Sequence, residues 1–134
     1  MARRPVLQID GVTYKNVYQV SWELYTSKDN TGRPADRAHA GVIKVWRESD
    51  ENVDVARWAM DSSQPKWKAG KILFKSPNDA TMKELAWEEG FVTRYEEIIP
   101  HIKDRPDDQV SEYFEISAHK VKIGDAEIDN RWEE

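Results

Sequence analysis

Cysteine is missing altogether from the 134 residues, which excludes both a disulfide framework and a thiolate metal site. Long apolar runs are missing too. No stretch approaches the roughly 20 apolar residues that a membrane-crossing helix needs, and mean hydropathy is −0.82. The basic start, Met-Ala-Arg-Arg-Pro, leads into no apolar segment of the kind a cleavable leader carries. No membrane insertion is expected. The chain is expected to fold in a cytoplasm, and any secretion would use a route that reads no cleavable signal. Histidine is scarce, with His39, His101 and His119 in three separate segments and no paired ligand spacing. Clustered basic residues are also lacking. A net charge of −5 and a pI near 5.3 make nucleic acid a poor partner, because phosphate binding needs grouped Lys and Arg.

Catalytic patterns are equally thin. Glu88-Glu89 and Glu96-Glu97 are adjacent carboxylates, but neighbours on a strand point to opposite faces and cannot converge on one substrate. Ala69-Gly70-Lys71-Ile72 lacks the earlier glycine and the hydroxyl residue of a phosphate loop. No Gly-x-Ser-x-Gly elbow is present. The residues therefore support neither an enzyme nor a cofactor or metal site.

What the chain does hold is enough apolar material for one core, which predicts a single domain over residues 1–134. The pattern is mostly that of strands. Val6 to Ile9 and Val12 to Val17 bracket Asp10-Gly11, a strong hairpin signal. Tyr18 to Leu24 alternates, with Tyr18, Val20, Trp22 and Leu24 on one face. Gly41 to Arg47 is apolar on both faces, Val42 and Trp46 on one and Ile43 and Val45 on the other. A short helix is predicted from Val53 to Met60, with Val55, Trp58 and Ala59 on one side and Asn52 or Asp50 as its cap. Further strands follow at Lys71 to Lys75, Met82 to Glu88 and Phe91 to Ile99, with Gly90 as punctuation. Pro100 to Asp108 reads as a charged loop. In the last long run, Val110 to Ile123, the apolar face switches between Ala118 and Val121, which predicts a bulge or bend near His119 and Lys120. The expected fold is mainly β, a small antiparallel β-barrel or sandwich with one short α-helix and a long extended loop.

That loop, Thr26 to Ala40, is fifteen polar residues between two strands. Structureless connections beyond about 12–15 residues are uncommon in compact domains unless they bind something or are disordered. Gly32 and Pro34 around Arg33 favour a shaped arm, since one frees φ and the other fixes it. With Lys28, Arg33 and Arg37 against Asp29 and Asp36, the arm carries +1, while the segment from Gly124 onward carries −4. An acidic tail is usually a solvated one. It could equally receive the basic arm of another copy. Among the six tryptophans, Trp67 is the one expected to be exposed, which leaves a carbohydrate- or ligand-binding β module as a second class of function.

Asp29-Asn-Thr-Gly-Arg-Pro34, a strand from Gly41, a helix ending Trp58-Ala-Met60, Gly70-Lys-Ile-Leu-Phe-Lys75, Met82-Lys-Glu-Leu-Ala-Trp87, Phe114 to Gly124 and Asn130-Arg-Trp132 follow one another in this order. This order resembles the tube proteins of type VI secretion systems, the haemolysin-coregulated (TssD) family in its Bacteroidetes form. The resemblance implies a small barrel flanked by a helix, six copies in a ring, and rings stacked into a hollow tube that carries secreted effectors. It also implies sheath, baseplate and spike proteins as partners, and no catalytic residues. The helix is shorter here than in the proteobacterial members. In the family the extended loop joins subunits or rings, so the expected subunit-interface residues are Lys28, Asp29, Gly32, Arg33, Pro34 and Arg37, with Val42 and Trp46 in lateral packing. A tube of a related phage-tail-like injection system would share these features.

Overall fold

The structure, a computed structural model, describes residues 5–35, 38–50, 52–60, 67–78, 80–98 and 110–130. Among the described residues, ten strands and one helix run in the order β1 (Val6–Ile9), β2 (Val12–Tyr14), β3 (Val17–Ser21), β4 (Leu24–Tyr25), β5 (His39–Ala40), β6 (Ile43–Glu48), α1 (Asp54–Met60), β7 (Lys68–Lys75), β8 (Thr81–Ile98), β9 (Ser111–Ile123) and β10 (Ala126–Asp129). All pairings are antiparallel. The main sheet has the order β2-β1-β7-β8-β9-β6-β3, with β10 added on β9, and β4 pairs β5 separately.

This order dictates the shape. The two edge strands, β2 and β3, are consecutive in the chain and joined only by Lys15 and Asn16. Three Cα steps span at most about 11 Å, whereas six strand spacings in a flat sheet would part the edges by about 29 Å. The sheet must therefore curl until its edges meet, and it does so as a barrel-like trough. Asn16 takes a positive φ of 69° where the chain turns across the gap. The connection is held to β6 by the Glu48 N–H donating to the Asn16 carbonyl at 2.9 Å. Arg47 Nε donates to the Lys15 carbonyl at 3.1 Å.

Leu7, Ile9, Val17, Ile43, Val45, Ile72, Leu85, Trp87, Phe114 and Ile116 fill the trough. Helix α1 packs on β8 and buries Val55 and Trp58. A seven-residue helix is unstable alone, so burial of these two side chains, worth about 3–5 kcal/mol together, holds it. Its start is organised by both residues expected there. Asp50 Oδ1 accepts from the Asn52 N–H at 2.9 Å, and Asn52 Oδ1 from the Asp54 N–H at 2.8 Å.

Several elements differ from expectation. Asp10 and Gly11 make the expected hairpin, with φ of 52° and 82°, but β2 ends at Tyr14 because Asn16 turns the chain. The strand expected to reach Leu24 stops at Ser21, and a bulge between Val17 and Gln19 resets its phase. Val20 and Trp22 lean on the core while Tyr18 and Leu24 are exposed. Gly90 does not interrupt β8. It lies under the Trp87 ring, where a Cβ would come within 2.5 Å of Cδ1 and Nε1. In β9 the face does switch between Ala118 and Val121, but without a slip of register against β8: Gly90 faces Ala118 and Glu88 faces Lys120. Both strands turn together, Glu89 adopting φ 52° opposite His119. The register shift in this pair lies at Val92 to Arg94 instead. The expected loop from Pro100 to Asp108 lies outside the described residues.

Candidate assembly surface

The arm begins where β3 gives out. The Gly41 N–H donates to the Glu23 carbonyl at 2.9 Å, and Leu24 and Tyr25 pair with Ala40 and His39. Farther out, the Ala35 N–H reaches the Ser27 carbonyl at 2.7 Å and Lys28 bridges Pro34. At the tip, the Gly32 N–H donates to the Asp29 carbonyl at 3.1 Å, a turn with Asp first and Gly fourth as sterics favour. Gly32 supplies φ 86° there. Asp29 Oδ1 accepts from the Thr31 N–H, the Thr31 hydroxyl and the Arg33 N–H at 2.9, 2.7 and 3.1 Å. The expectation of a shaped arm holds for these residues.

These bonds, that of the Thr31 hydroxyl foremost, hold the Asp29 carboxyl below its ordinary value. A lowered carboxyl stabilises its turn at pH values above the ordinary carboxylate range, and the contribution is lost as pH falls through the lowered value. The amide proton shifts of Thr31 and Arg33 should therefore stay constant at neutral pH and move only in acid, below about pH 4. Asp29→Ala should displace them at every pH while the unfolding midpoint of the barrel stays put. Equal shifts in the two proteins at neutral pH would refute this account of the turn.

The arm is exposed along its described length from Glu23 to Pro34 and at Ala35 and Ala38, and it buries no core of its own. Leu24 and Tyr25 are 49% and 52% exposed, although Tyr25 stacks on His39 at 5.4 Å. Of the expected interface residues, Lys28, Asp29, Gly32, Arg33 and Pro34 sit together in this outer half, while Arg37 lies outside the described residues. Val42 and Trp46 stand elsewhere, on and just before β6. That strand turns Ile43, Val45 and Arg47 inward and Lys44, Trp46 and Glu48 outward. Trp46 is half-buried because the Tyr113 ring, opposite it on β9, lies 4.8 Å away. Burial and a hydrogen bond to Glu115 push the Tyr113 hydroxyl up to about 12. Part of the cover over the outer face of β6 thus comes from its own chain.

The adjacent carboxylates Glu96 and Glu97 go to different partners. Glu97 accepts from Ser49 Oγ at 3.0 Å, and Glu96 pairs Arg94 at 3.3 Å. His119 holds Glu89 on Nδ1 at 2.6 Å and Asp129 on Nε2 at 3.0 Å, which ties β8 and β10 to β9. One cleft beside the helix, about 240 Å³, is lined by Tyr14, Asp54, Arg57, Trp58 and Lys68 among others. Within it Arg57 pairs Asp54 at 3.3 Å, and the Lys68 ammonium sits over the Trp58 ring at 5.3 Å. Trp67 is exposed at 60%, as expected, and meets Phe91 edge-on. Among the described residues no group of three His, Asp or Glu could hold a metal ion. None of their helices is long and apolar enough to cross a membrane.

The comparison with known families decides what such an arm on such a barrel belongs to. A family model described as hemolysin coregulated protein Hcp (TssD) matches residues 1–133. The chain belongs to the Hcp family. Hcp1 from Flavobacterium johnsoniae is 30% identical, over 96% of this chain and 100% of that one, with a TM-score of 0.82. Hcp1 from Salmonella typhimurium, 15% identical, covers 96% and 92% of the two chains with a TM-score of 0.69. A chain of the PVC sheath-tube complex of an extracellular contractile injection system is 12% identical over 90% and 87%, with a TM-score of 0.59. The last two are likenesses of fold. No curated protein sequence matches significantly. As an Hcp protein, the chain is a structural subunit of the inner tube of a type VI secretion system.

Proposed function

We propose that this Hcp chain acts as a single tube-subunit domain, residues 1–134, that closes into six-membered rings and stacks ring on ring around a lumen for secreted effectors. A head-to-tail contact closes into a ring when its rotation divides a full turn. A second one along the axis does not close and so extends a filament. Both contacts need self-complementary surfaces that are idle in one copy. The observation that carries the reading is the arm: ordered by its own hydrogen bonds, yet exposed and with no burial against its own barrel along its outer half. In this reading Lys28, Asp29, Gly32, Arg33, Pro34 and Arg37 dock on an adjacent copy, and Val42 and Trp46 pack laterally. The sheath-tube and baseplate complexes of the fold's neighbours support sheath and baseplate proteins as further partners, and a spike protein joins them in this reading. The protein is made in the cytoplasm, leaves through the apparatus it builds, and performs no catalysis.

Negative-stain imaging tests this directly. The wild-type protein should give rings and end-on stacks. Arg33→Glu reverses the charge of the docking tip and should reduce tubes at least tenfold at equal concentration. Trp46→Ala should dissociate rings on dilution. Wild-type protein that stays monomeric at every accessible concentration, or an Arg33→Glu protein that stacks normally, would overturn the docking surface.

A further inference from the structure

Among the described residues, the Asn130 side chain ties the base of the arm to the barrel. Ala40, on the return strand β5, donates its N–H to Asn130 Oδ1 at 3.0 Å, and its carbonyl accepts from Asn130 Nδ2 at 3.4 Å. The same Nδ2 donates to the Ala118 carbonyl at 2.8 Å. The Asn130 N–H donates to the His119 carbonyl, also at 2.8 Å. A single carboxamide thus pairs with the arm backbone as a peptide group would, donor to acceptor and acceptor to donor.

Its position explains why one is needed. On that side β9 is paired by β6 only as far as Ile116, which faces Ile43, and by β10 only from Lys120, which faces Asp129. The carbonyls of Ala118 and His119 fall in the gap between the two ladders. Buried or half-buried backbone groups left there without partners would be costly, and Asn130 meets both. A two-stranded ribbon such as β4 and β5 is marginal by itself, so its direction depends on what holds its base.

We infer that Asn130 is the positioning residue that sets the angle at which the arm leaves the barrel, and through that angle the assembly of rings and tubes. Aspartate would not serve. It keeps the shape and can still accept from Ala40, but it loses both donations and faces two carbonyl oxygens with a charge. The inference rests on the arm being an assembly surface, and its test separates the two ideas.

Amide exchange by NMR, on protein diluted below its assembly concentration, reads the joint alone. In both Asn130→Asp and Asn130→Ala the Ala40 amide should exchange at least tenfold faster, while those of Leu7, Ile72 and Phe114 stay unchanged. Sedimentation should then show that at least tenfold more protein is needed for assembly. Unchanged Ala40 exchange would overturn the proposal. So would normal assembly with a loosened Ala40, and so would core amides that loosen along with it, which would make Asn130 a residue of the fold. Arg33→Glu, run in parallel, reports on arm docking without touching this joint. If that variant assembles normally, the docking reading fails and Ala40 exchange still decides the joint.

Discussion

Glu112→Ala is expected to lower the unfolding free energy by about 3–5 kcal/mol, because it strands a buried guanidinium. Arg47 and Glu112 are 1% and 2% exposed and face each other across β6 and β9, Arg47 Nη1 lying 3.2 Å from Glu112 Oε1. Each remaining polar atom is used. Arg47 Nη2 meets Asp50 at 2.8 Å, Nε meets the Lys15 carbonyl, and the guanidinium lies 5.7 Å from the Tyr14 ring centre. The Tyr95 hydroxyl donates to Glu112 Oε2 at 2.9 Å. Burial first, and then the Glu112 carboxylate, raise the Tyr95 hydroxyl well above the usual phenol range.

Complete satisfaction is what makes the pair tolerable, and also what makes half of it intolerable. Urea unfolding at fixed protein concentration, since assembly would add stability, should show the loss. In thermal melts it corresponds to a fall of roughly 10–20 °C. Arg47→Met should cost a similar amount. The double variant Arg47→Met/Glu112→Leu should recover most of it, because no charge is then left alone. A loss under about 1 kcal/mol in Glu112→Ala, or strictly additive single losses in the double variant, would refute a closed network.

This network was not legible in the sequence, for a physical reason. Charged residues are almost never fully buried unless paired, and a partner 65 positions away leaves no local trace. Arg47 reads as the charged end of an apolar strand. Its alternation with Ile43 and Val45 is a signal that it points inward, but only the barrel's seam gives it something to hold. Local chemistry was easier. Asp10-Gly11, the Asp50 and Asn52 start of α1, and the ordered arm with Gly32 at its tip all follow from short-range sterics and hydrogen bonding. The strand breaks were harder. Gly90 looks like a terminator to any reading of propensity, whereas it is a strand glycine making room for a ring three residues earlier. The phase switch at Ala118 to Val121 was visible, but its mechanism was not, since it depends on Glu89 turning in the neighbouring strand. Lys28 and Arg33, as proposed docking residues, come from asking what a long polar loop is for. Asn130 could not, because the Ala40 backbone that it pairs has no sequence signature.

Gly70→Ala should be as damaging as many core truncations, although it adds a single methyl. Alanine normally favours an ordered strand over glycine by roughly 0.5–1 kcal/mol. Here a Cβ would sit 2.4 Å from Trp87 Cζ2 and 2.5 Å from the Gln8 carbonyl oxygen. Neither can yield. Trp87 is 2% exposed and pinned by its Nε1 donating to the Lys68 carbonyl at 3.0 Å, and Gln8 faces Lys71 in the β1–β7 ladder. Overpacking of this kind costs about 1–3 kcal/mol, and a backbone obstacle places Gly70 at the upper end. Gly90→Ala meets the same ring at 2.5 Å and an Ile116 methyl at 3.1 Å, and these nearest contacts are all side chain. The two should therefore part in the background of Trp87→Leu. Removing the ring relieves Gly90→Ala almost completely, whereas Gly70→Ala still strikes the Gln8 carbonyl and keeps about half its cost. Denaturant midpoints of the wild type and the five variants decide it: equal rescue at both positions would mean that the Trp87 ring alone sets the clearance between β7 and β8.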